Sequence, residues 1–198
     1  MLIFDDKSHT YFWDGVEVPG VTSILSPLID FSRVPPAVLQ AAADFGTAVH
    51  LACELDDVGD LDESTLDAAL IPYLDAWRAF CVDHDVNWDV IEQPVYHSSL
   101  RYAGTPDRIG YVRGSKCVVD IKSTAQLYPS VGPQLSAYAY AYDAGMAPTM
   151  QRIAVQLKAD GTYKAQQYKD PTDWPTFCSL LTIRNWCAKH NIKPFFKE

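Results

Sequence analysis

Two carboxylates and one ammonium lie close together in the middle of the sequence. Asp107 closes the turn GTPD, and Asp120 and Lys122 lie two residues apart at the end of the apolar run CVVDIK. Residues two apart in a strand share a face, so we expect Asp120 and Lys122 to point the same way. Neighbouring carboxylates repel each other unless a cation lies between them, and a hard divalent ion with oxygen ligands suits that position. A nearby ammonium can hold a water or stabilise charge on a phosphate, which indicates metal-dependent phosphodiester chemistry.

A plainer interpretation of the same residues is a salt bridge. In that case Lys122 pairs with Asp120 or Asp107 at the end of a strand, and no metal binds. A PD turn and a DxK triplet both occur often by chance. Taken alone, these three residues therefore leave both interpretations open.

The composition is typical of a folded protein. The chain has 198 residues, of which 48% are hydrophobic and 12% aromatic, so we expect one domain spanning residues 1–198. We also expect a soluble, cytoplasmic protein, because no run approaches the ~18 apolar residues of a membrane span and the first residues do not resemble a signal sequence. Five cysteines without a CxxC pair favour reduced thiols over a disulfide framework.

The net charge argues against a protein that binds nucleic acid through its overall charge. A formal charge of −9 is unfavourable for binding nucleic acid by bulk electrostatics, which depends on Lys and Arg neutralising phosphates. Many of the acidic residues, however, fall between Glu54 and Asp67, whereas the segment from Arg101 to Lys122 is the most basic part of the chain. A local phosphate site in that central segment is therefore compatible with the composition.

Hydrophobic periodicity and turn signals predict an alternation of helices and strands. Asp14-Gly15 predicts a tight turn in an N-terminal β-hairpin from His9 to Val18. A second hairpin, with strands at 152–158 and 163–168, is predicted around Asp160-Gly161. The other predicted elements are helices at 36–56, 64–83, 133–143 and 172–189 and strands at 89–96, 108–112 and 116–121. The acidic motif would then lie on adjacent strands.

Two of these helices carry polar residues at helical spacing. His50 and Glu54 are four residues apart and share a helix face, as do Gln134 and Tyr138. A structural histidine and a tyrosine packed in the core are the plain alternatives for His50 and Tyr138. Spacing alone does not separate these alternatives.

The motifs, taken in order, resemble a known family. GTxxHxxxE, GxPDR, VVDIKST and QLxAY follow one another as in the PD-(D/E)xK nuclease superfamily, and within it the RecB-like branch with its Cas4-type nucleases and many phage exonucleases. The resemblance covers roughly His9 to Tyr142. It implies an α/β fold with a central mixed β-sheet flanked by helices, a restriction-endonuclease-like core, preceded here by the N-terminal hairpin. It also implies a Mg²⁺- or Mn²⁺-dependent deoxyribonuclease, in the cytoplasm of a bacterial host if the chain is phage-encoded.

The resemblance also assigns residue roles. Lys122 would be the catalytic lysine, acting with Asp107 and Asp120, while Gln134 and Tyr138 would orient substrate or catalytic groups. The implied metal ligands are His50, Asp107, Asp120 and the backbone carbonyl of Ile121. Glu92 is a further candidate ligand, with a solvent-facing strand glutamate as the alternative. The candidate phosphate contacts, for which strand-end hydrogen bonds and surface charge are the alternatives, are Arg101, Arg108, Ser123 and Thr124.

Differences between this chain and some members of the family narrow the type of nuclease that we expect. Some relatives carry an iron–sulfur cluster on four cysteines, three of them near the C-terminus, but only Cys178 and Cys187 fall there in this chain, so no cluster is expected. No helicase motif is present either. We therefore expect an exonuclease acting on single- or double-stranded DNA ends, with a single-strand annealing or other recombination protein as a candidate partner. The alternatives are a catalytically silent DNA- or protein-binding accessory protein and a restriction-type endonuclease.

Overall fold

A five-stranded mixed sheet forms the centre of the structure, a computed structural model that describes residues 1–5 and 8–192. The strands are β1 Leu2–Asp5, β2 Thr10–Trp13, β3 Val16–Val18, β4 Val86–Ile91, β5 Val95–His97, β6 Tyr102–Gly104, β7 Arg108–Val112, β8 Ser115–Lys122, β9 Gln151–Leu157 and β10 Tyr163–Gln167. The helices are α1 Val21–Leu25, α2 Pro36–Val58, α3 Ile71–His84, α4 Val131–Tyr142 and α5 Asp173–Lys189. The central sheet has the order β10-β9-β8-β7-β4.

Strand β8 lies in the middle of this sheet. It pairs antiparallel with β7 and parallel with β9, with Asp120 opposite Ala154. Residues 117–121 are all buried, as expected for a β-branched run in a central strand covered on both faces. The predicted central mixed sheet flanked by helices is therefore confirmed.

Helices cover both faces of the sheet, and the side chains of β8 alternate between them. Val118 packs with α1, α4 and α5, whereas Val119 and Ile121 pack with α2 and α3. Asp120 and Lys122 follow Val118 by two and four residues in the strand. They therefore lie on the same face of the sheet as Val118, as predicted. The side chains of Asp120 and Lys122 thus point towards the helical layer that contains α4.

The N-terminal hairpin is confirmed and is extended by one strand. Strands β2 and β3 pair around Asp14 and Gly15, whose φ angles of 48° and 78° suit a tight hairpin turn. Strand β1 adds to β2 and makes a three-stranded antiparallel sheet.

Two predicted elements were wrong in their bounds. The helix predicted from Ser64 begins at Ile71, preceded by a short 3₁₀ turn at Glu63–Thr65. Pro72 explains the difference, because proline lacks an N–H and is tolerated in the first turn of a helix but not in its interior.

The strand predicted at 89–96 is two strands in different sheets. Strand β4 pairs with β7, whereas β5 pairs with β6, a strand that the sequence patterns did not predict. The extended conformation is interrupted between these two strands. Glu92 has a φ of 45°, and Pro94 cannot donate to a strand ladder. Glu92 therefore lies at the end of β4 and not within a strand.

No helix among the described residues is long and apolar enough to cross a membrane.

Candidate metal centre

One end of the central sheet brings together polar groups from four separate parts of the chain. Asp107 directly precedes β7, and Ile121 lies near the end of the antiparallel neighbour β8. Glu92 follows the end of β4, whose Ile91 is paired with the first residue of β7. Helix α2 contributes His50. Because β7 runs antiparallel to both β4 and β8, the start of β7 lies beside the ends of these two strands, at one end of the sheet.

His50, Glu92 and Asp107 form the tightest group of candidate ligands at this end of the sheet. The Nδ1 atom of His50 lies 3.5 Å from Asp107 Oδ1 and 3.6 Å from Glu92 Oε1. One ligand atom from each of the three residues lies within 4.8 Å of the other two. Two carboxylate oxygens and an imidazole nitrogen suit a divalent cation such as Mn²⁺ or Mg²⁺. The donor set therefore fits the metal that the sequence predicted.

The backbone of Ile121 ties this group to the central strand. Its N–H donates to Asp107 Oδ2 at 2.5 Å, and its carbonyl accepts from His50 Nε2 at 3.0 Å. The carbonyl predicted as a ligand thus contacts His50 at Nε2, the ring nitrogen other than the one nearest the two carboxylates. Burial lowers the pKa of His50, but Asp107 and Glu92 oppose this effect and raise the pKa to about 9.

Asp120 and Lys122 form an ion pair beside the cluster. The Nζ atom of Lys122 lies 2.7 Å from both carboxylate oxygens of Asp120. The Asp120 side chain is 1% exposed and that of Lys122 is 24% exposed. Burial, opposed by the ammonium of Lys122, raises the pKa of Asp120 above its ordinary value. The salt bridge of the plainer interpretation is therefore present, but next to three further candidate ligands that it does not explain.

Arg108 supports the cluster from inside the protein. Its side chain has no exposed surface, its Nε donates to Asp57 Oδ2 at 2.7 Å, and one terminal nitrogen donates to Glu92 Oε1 at 3.2 Å and to the Asp107 carbonyl at 2.6 Å. Asp57 also accepts from Trp77 Nε1 at 3.1 Å. The prediction that Arg108 contacts a substrate phosphate must be corrected, since a fully buried guanidinium held by two carboxylates is not accessible to DNA.

Asp57 is a site residue that the sequence patterns missed. It lies seven residues after His50, two helical turns along the same face of α2. A spacing of four residues pairs His50 with Glu54 alone. Extending the same spacing by one turn would have identified Asp57.

Gln134 and Tyr138 lie together on α4, as their spacing predicted. Gln134 Nε2 donates to the hydroxyl of Tyr138 at 3.2 Å. Tyr138 is buried, and burial raises its pKa well above the ordinary value, so the phenol stays neutral. Its ring packs against Gly104, where an added Cβ would lie 2.5 Å from a ring carbon. The residue thus both packs in the core, as the plain alternative held, and bonds to Gln134.

The remaining predicted phosphate contacts are spread more widely. Thr124 lines the same groove as Lys122 and Gln134, and Ser123 lies at the end of β8 near Gly46 of α2. Arg101 is exposed in the turn between β5 and β6, where it lines a different cavity together with residues such as Glu17 and Asn185. The structure therefore places Thr124, but not Arg101, beside Lys122.

Comparison with known proteins gives a limited result. Neither a protein-family model nor a curated protein sequence matches the chain. The alkaline exonuclease LHK-Exo from Laribacter hongkongensis is a structural neighbour with a TM-score of 0.49 and 12% identity, over 87% of this chain and 88% of that one. The structure of LHK-Exo in complex with dAMP gives a TM-score of 0.47 and 12% identity, over 88% and 89% of the two chains. These values describe a likeness from which no residue role is transferred.

Proposed function

We propose that this protein is a divalent-metal-dependent deoxyribonuclease, specifically an exonuclease, and that residues 1–198 form one domain. The proposal depends on one observation: His50, Glu92 and Asp107 converge within 4.8 Å beside the Lys122–Asp120 ion pair. A structural salt bridge needs only its two partners, whereas a cluster of two further carboxylates and a histidine suits a cation. The RecB-like motif order of the sequence supports the same function.

The residues would divide the chemistry as follows. His50, Glu92, Asp107 and the Ile121 carbonyl would hold Mg²⁺ or Mn²⁺, with Asp120 as a neighbouring candidate ligand. The metal would supply a Lewis acid and a water of lowered pKa. Lys122, held by Asp120 at 2.7 Å, would place its ammonium against the attacking water and the negative charge that grows on the phosphate. Gln134, fixed by Tyr138, would position the substrate strand at the edge of the groove.

Cleavage assays test this proposal. End-labelled linear, nicked and closed circular DNA, single- and double-stranded, would be incubated with Mg²⁺, Mn²⁺ or a chelator. The expected result is metal-dependent loss of linear DNA only. Loss of closed circles as well would indicate an endonuclease of restriction type.

Two lysines of strand β8 provide the matched variants. Lys122→Ala should abolish cleavage without unfolding the protein. Lys116→Ala should retain cleavage, because Lys116 pairs with Asp89 at the other end of the strand. Retained cleavage in Lys122→Ala would refute the assignment.

A second candidate is an accessory protein that binds DNA or a recombination protein without cutting. The net charge of −9 favours its protein-binding form, since that charge weakens contacts to the DNA backbone. Titration calorimetry with Mn²⁺ separates the candidates. Absence of metal binding together with absence of cleavage would favour the accessory protein.

A further inference from the structure

An open groove of about 450 Å³ is lined in part by Lys122, the ion-pair partner of Asp120. Lys122, Thr124 and Gln134 line one part of it, and the segment before α2 and the exposed first half of α2 line another. The volume falls within the usual range for sites that take small organic molecules, roughly 300–1,000 Å³. A strand that presents a phosphate to Lys122 would therefore continue into this groove.

The lining of the groove is mostly apolar and includes two exposed aromatic rings. Phe31 is 38% exposed and Tyr128 is 45% exposed, and Leu28 and Leu39 add aliphatic surface. The charged residues of the lining are Lys122, at the catalytic end, and Asp30. Such a lining offers little to a phosphate backbone but suits the flat faces of nucleobases.

We infer that this groove binds the unpaired nucleobases of a single-stranded DNA end, with the adjoining phosphate at Lys122. The inference rests on the proposed nuclease function and specifies its substrate. Base faces are hidden inside a duplex by stacking on their neighbours, so only an unpaired strand can offer them to Phe31 and Tyr128. Stacking on aromatic side chains also needs no excess of cations, which matters for a chain with a net charge of −9.

The test measures binding in the presence of a chelator, so that it does not depend on cleavage. The probe is a short single strand with the fluorescent base 2-aminopurine at its end, which is quenched when it stacks on a ring. Phe31→Ala and Tyr128→Ala should each weaken binding by about 5- to 150-fold, the range for loss of one base stack, and should relieve the quenching. Tyr128→Phe, which keeps the ring, should bind like the wild type.

Tyr111→Ala is the matched control, because Tyr111 is 40% exposed but lies on β7 outside the groove. It should leave both binding and quenching unchanged. Since Phe31 and Tyr128 are both well exposed, their variants are expected to fold, which circular dichroism would verify.

Two results would overturn the inference. One is wild-type affinity for the single strand in both Phe31→Ala and Tyr128→Ala. The other is tighter binding of a blunt duplex than of the single strand by the wild-type protein. Failure of the proposed nuclease function would be seen separately, as absence of metal-dependent cleavage of every DNA in the assay above.

Discussion

At the scale of single residues, Arg108 links the interior of the protein to the candidate metal ligands. Its guanidinium lies between Asp57 on one side and Glu92 and the Asp107 carbonyl on the other. A buried charge of this kind is tolerated because each charged partner compensates the other. The same contacts that compensate the charge of Arg108 also hold Glu92 in position. Stability and ligand geometry therefore depend on one side chain.

Replacing Arg108 should cost much of the stability of the fold. Arg108→Met would leave the Asp57 carboxylate, whose side chain is 9% exposed, without its cation. Loss of one partner of a buried pair typically costs about 3–5 kcal/mol. Urea denaturation would measure this loss in the free energy of unfolding, and calorimetry with Mn²⁺ should show weaker binding because Glu92 is no longer held.

Arg78 supplies a control of the same chemical type. It pairs with Asp56 and Glu63, but its side chain is 39% exposed. Arg78→Met should therefore cost only about 0–1 kcal/mol, since water compensates exposed charges. Equal losses in the two variants would contradict the distinction between a buried supporting pair and a surface pair.

At the scale of elements, a glycine allows strand β6 to meet helix α4. A Cβ at Gly104 would lie 2.5 Å from a ring carbon of Tyr138 and 2.9 Å from a methyl group of Val21. Neither neighbour can move freely, because the Tyr138 ring is buried and Val21 is 1% exposed. The glycine of the GTPD turn thus determines where the Gln134–Tyr138 pair lies.

Adding one methyl group at this position should destabilise the protein. We expect Gly104→Ala to cost about 1–3 kcal/mol, the usual price of overpacking a close-packed interior. Gly46→Ala is the comparison, because the added methyl group there would meet only Ser123 Oγ at 3.6 Å. Alanine in a helix interior is favoured over glycine by roughly 0.5–1 kcal/mol, so this variant should be at least as stable as the wild type. Thermal unfolding would compare the stability of the two variants. A Gly104→Ala variant as stable as the wild type would refute the packing argument.

The elements also show what could be predicted from the sequence. The run CVVDIK predicted a buried strand with Asp120 and Lys122 on one face, because both features follow from local periodicity. Strands β5 and β6 have three residues each, too few for a period of two to be recognised. The left-handed backbone of Glu92 and the burial of Arg108 depend on neighbours far away in the chain. Local patterns therefore predicted the motif and the helices that flank it, but not the ion pairs of Arg108 with Asp57 and Glu92.

At the scale of the whole molecule, the candidate metal centre exists only when the chain is folded. Its candidate donors come from positions 50, 92, 107 and 121, which lie on α2, after β4, before β7 and near the end of β8. In an unfolded chain these groups are too far apart in sequence to bind one ion together. A metal that binds the folded state alone must stabilise it, in proportion to the logarithm of the metal concentration.

We therefore expect Mn²⁺ to raise the melting temperature of the wild-type protein. At a concentration 100 times the dissociation constant the gain is about 2.7 kcal/mol. For a chain of this size that gain corresponds to a rise of about 5–11 °C. Asp107→Asn should lose most of the response, because the amide can still accept the Ile121 N–H but carries no charge for the ion.

Asp89→Asn is the control, since Asp89 is a half-exposed carboxylate that pairs with Lys116 on the same sheet. Its melting temperature should rise with Mn²⁺ as much as that of the wild type. A melting temperature that does not change with Mn²⁺ in the wild type, or that rises equally in Asp107→Asn, would show that these donors do not form a metal site. The carboxylates would then belong to a purely structural network around His50, whose raised pKa lets an imidazolium balance their charge.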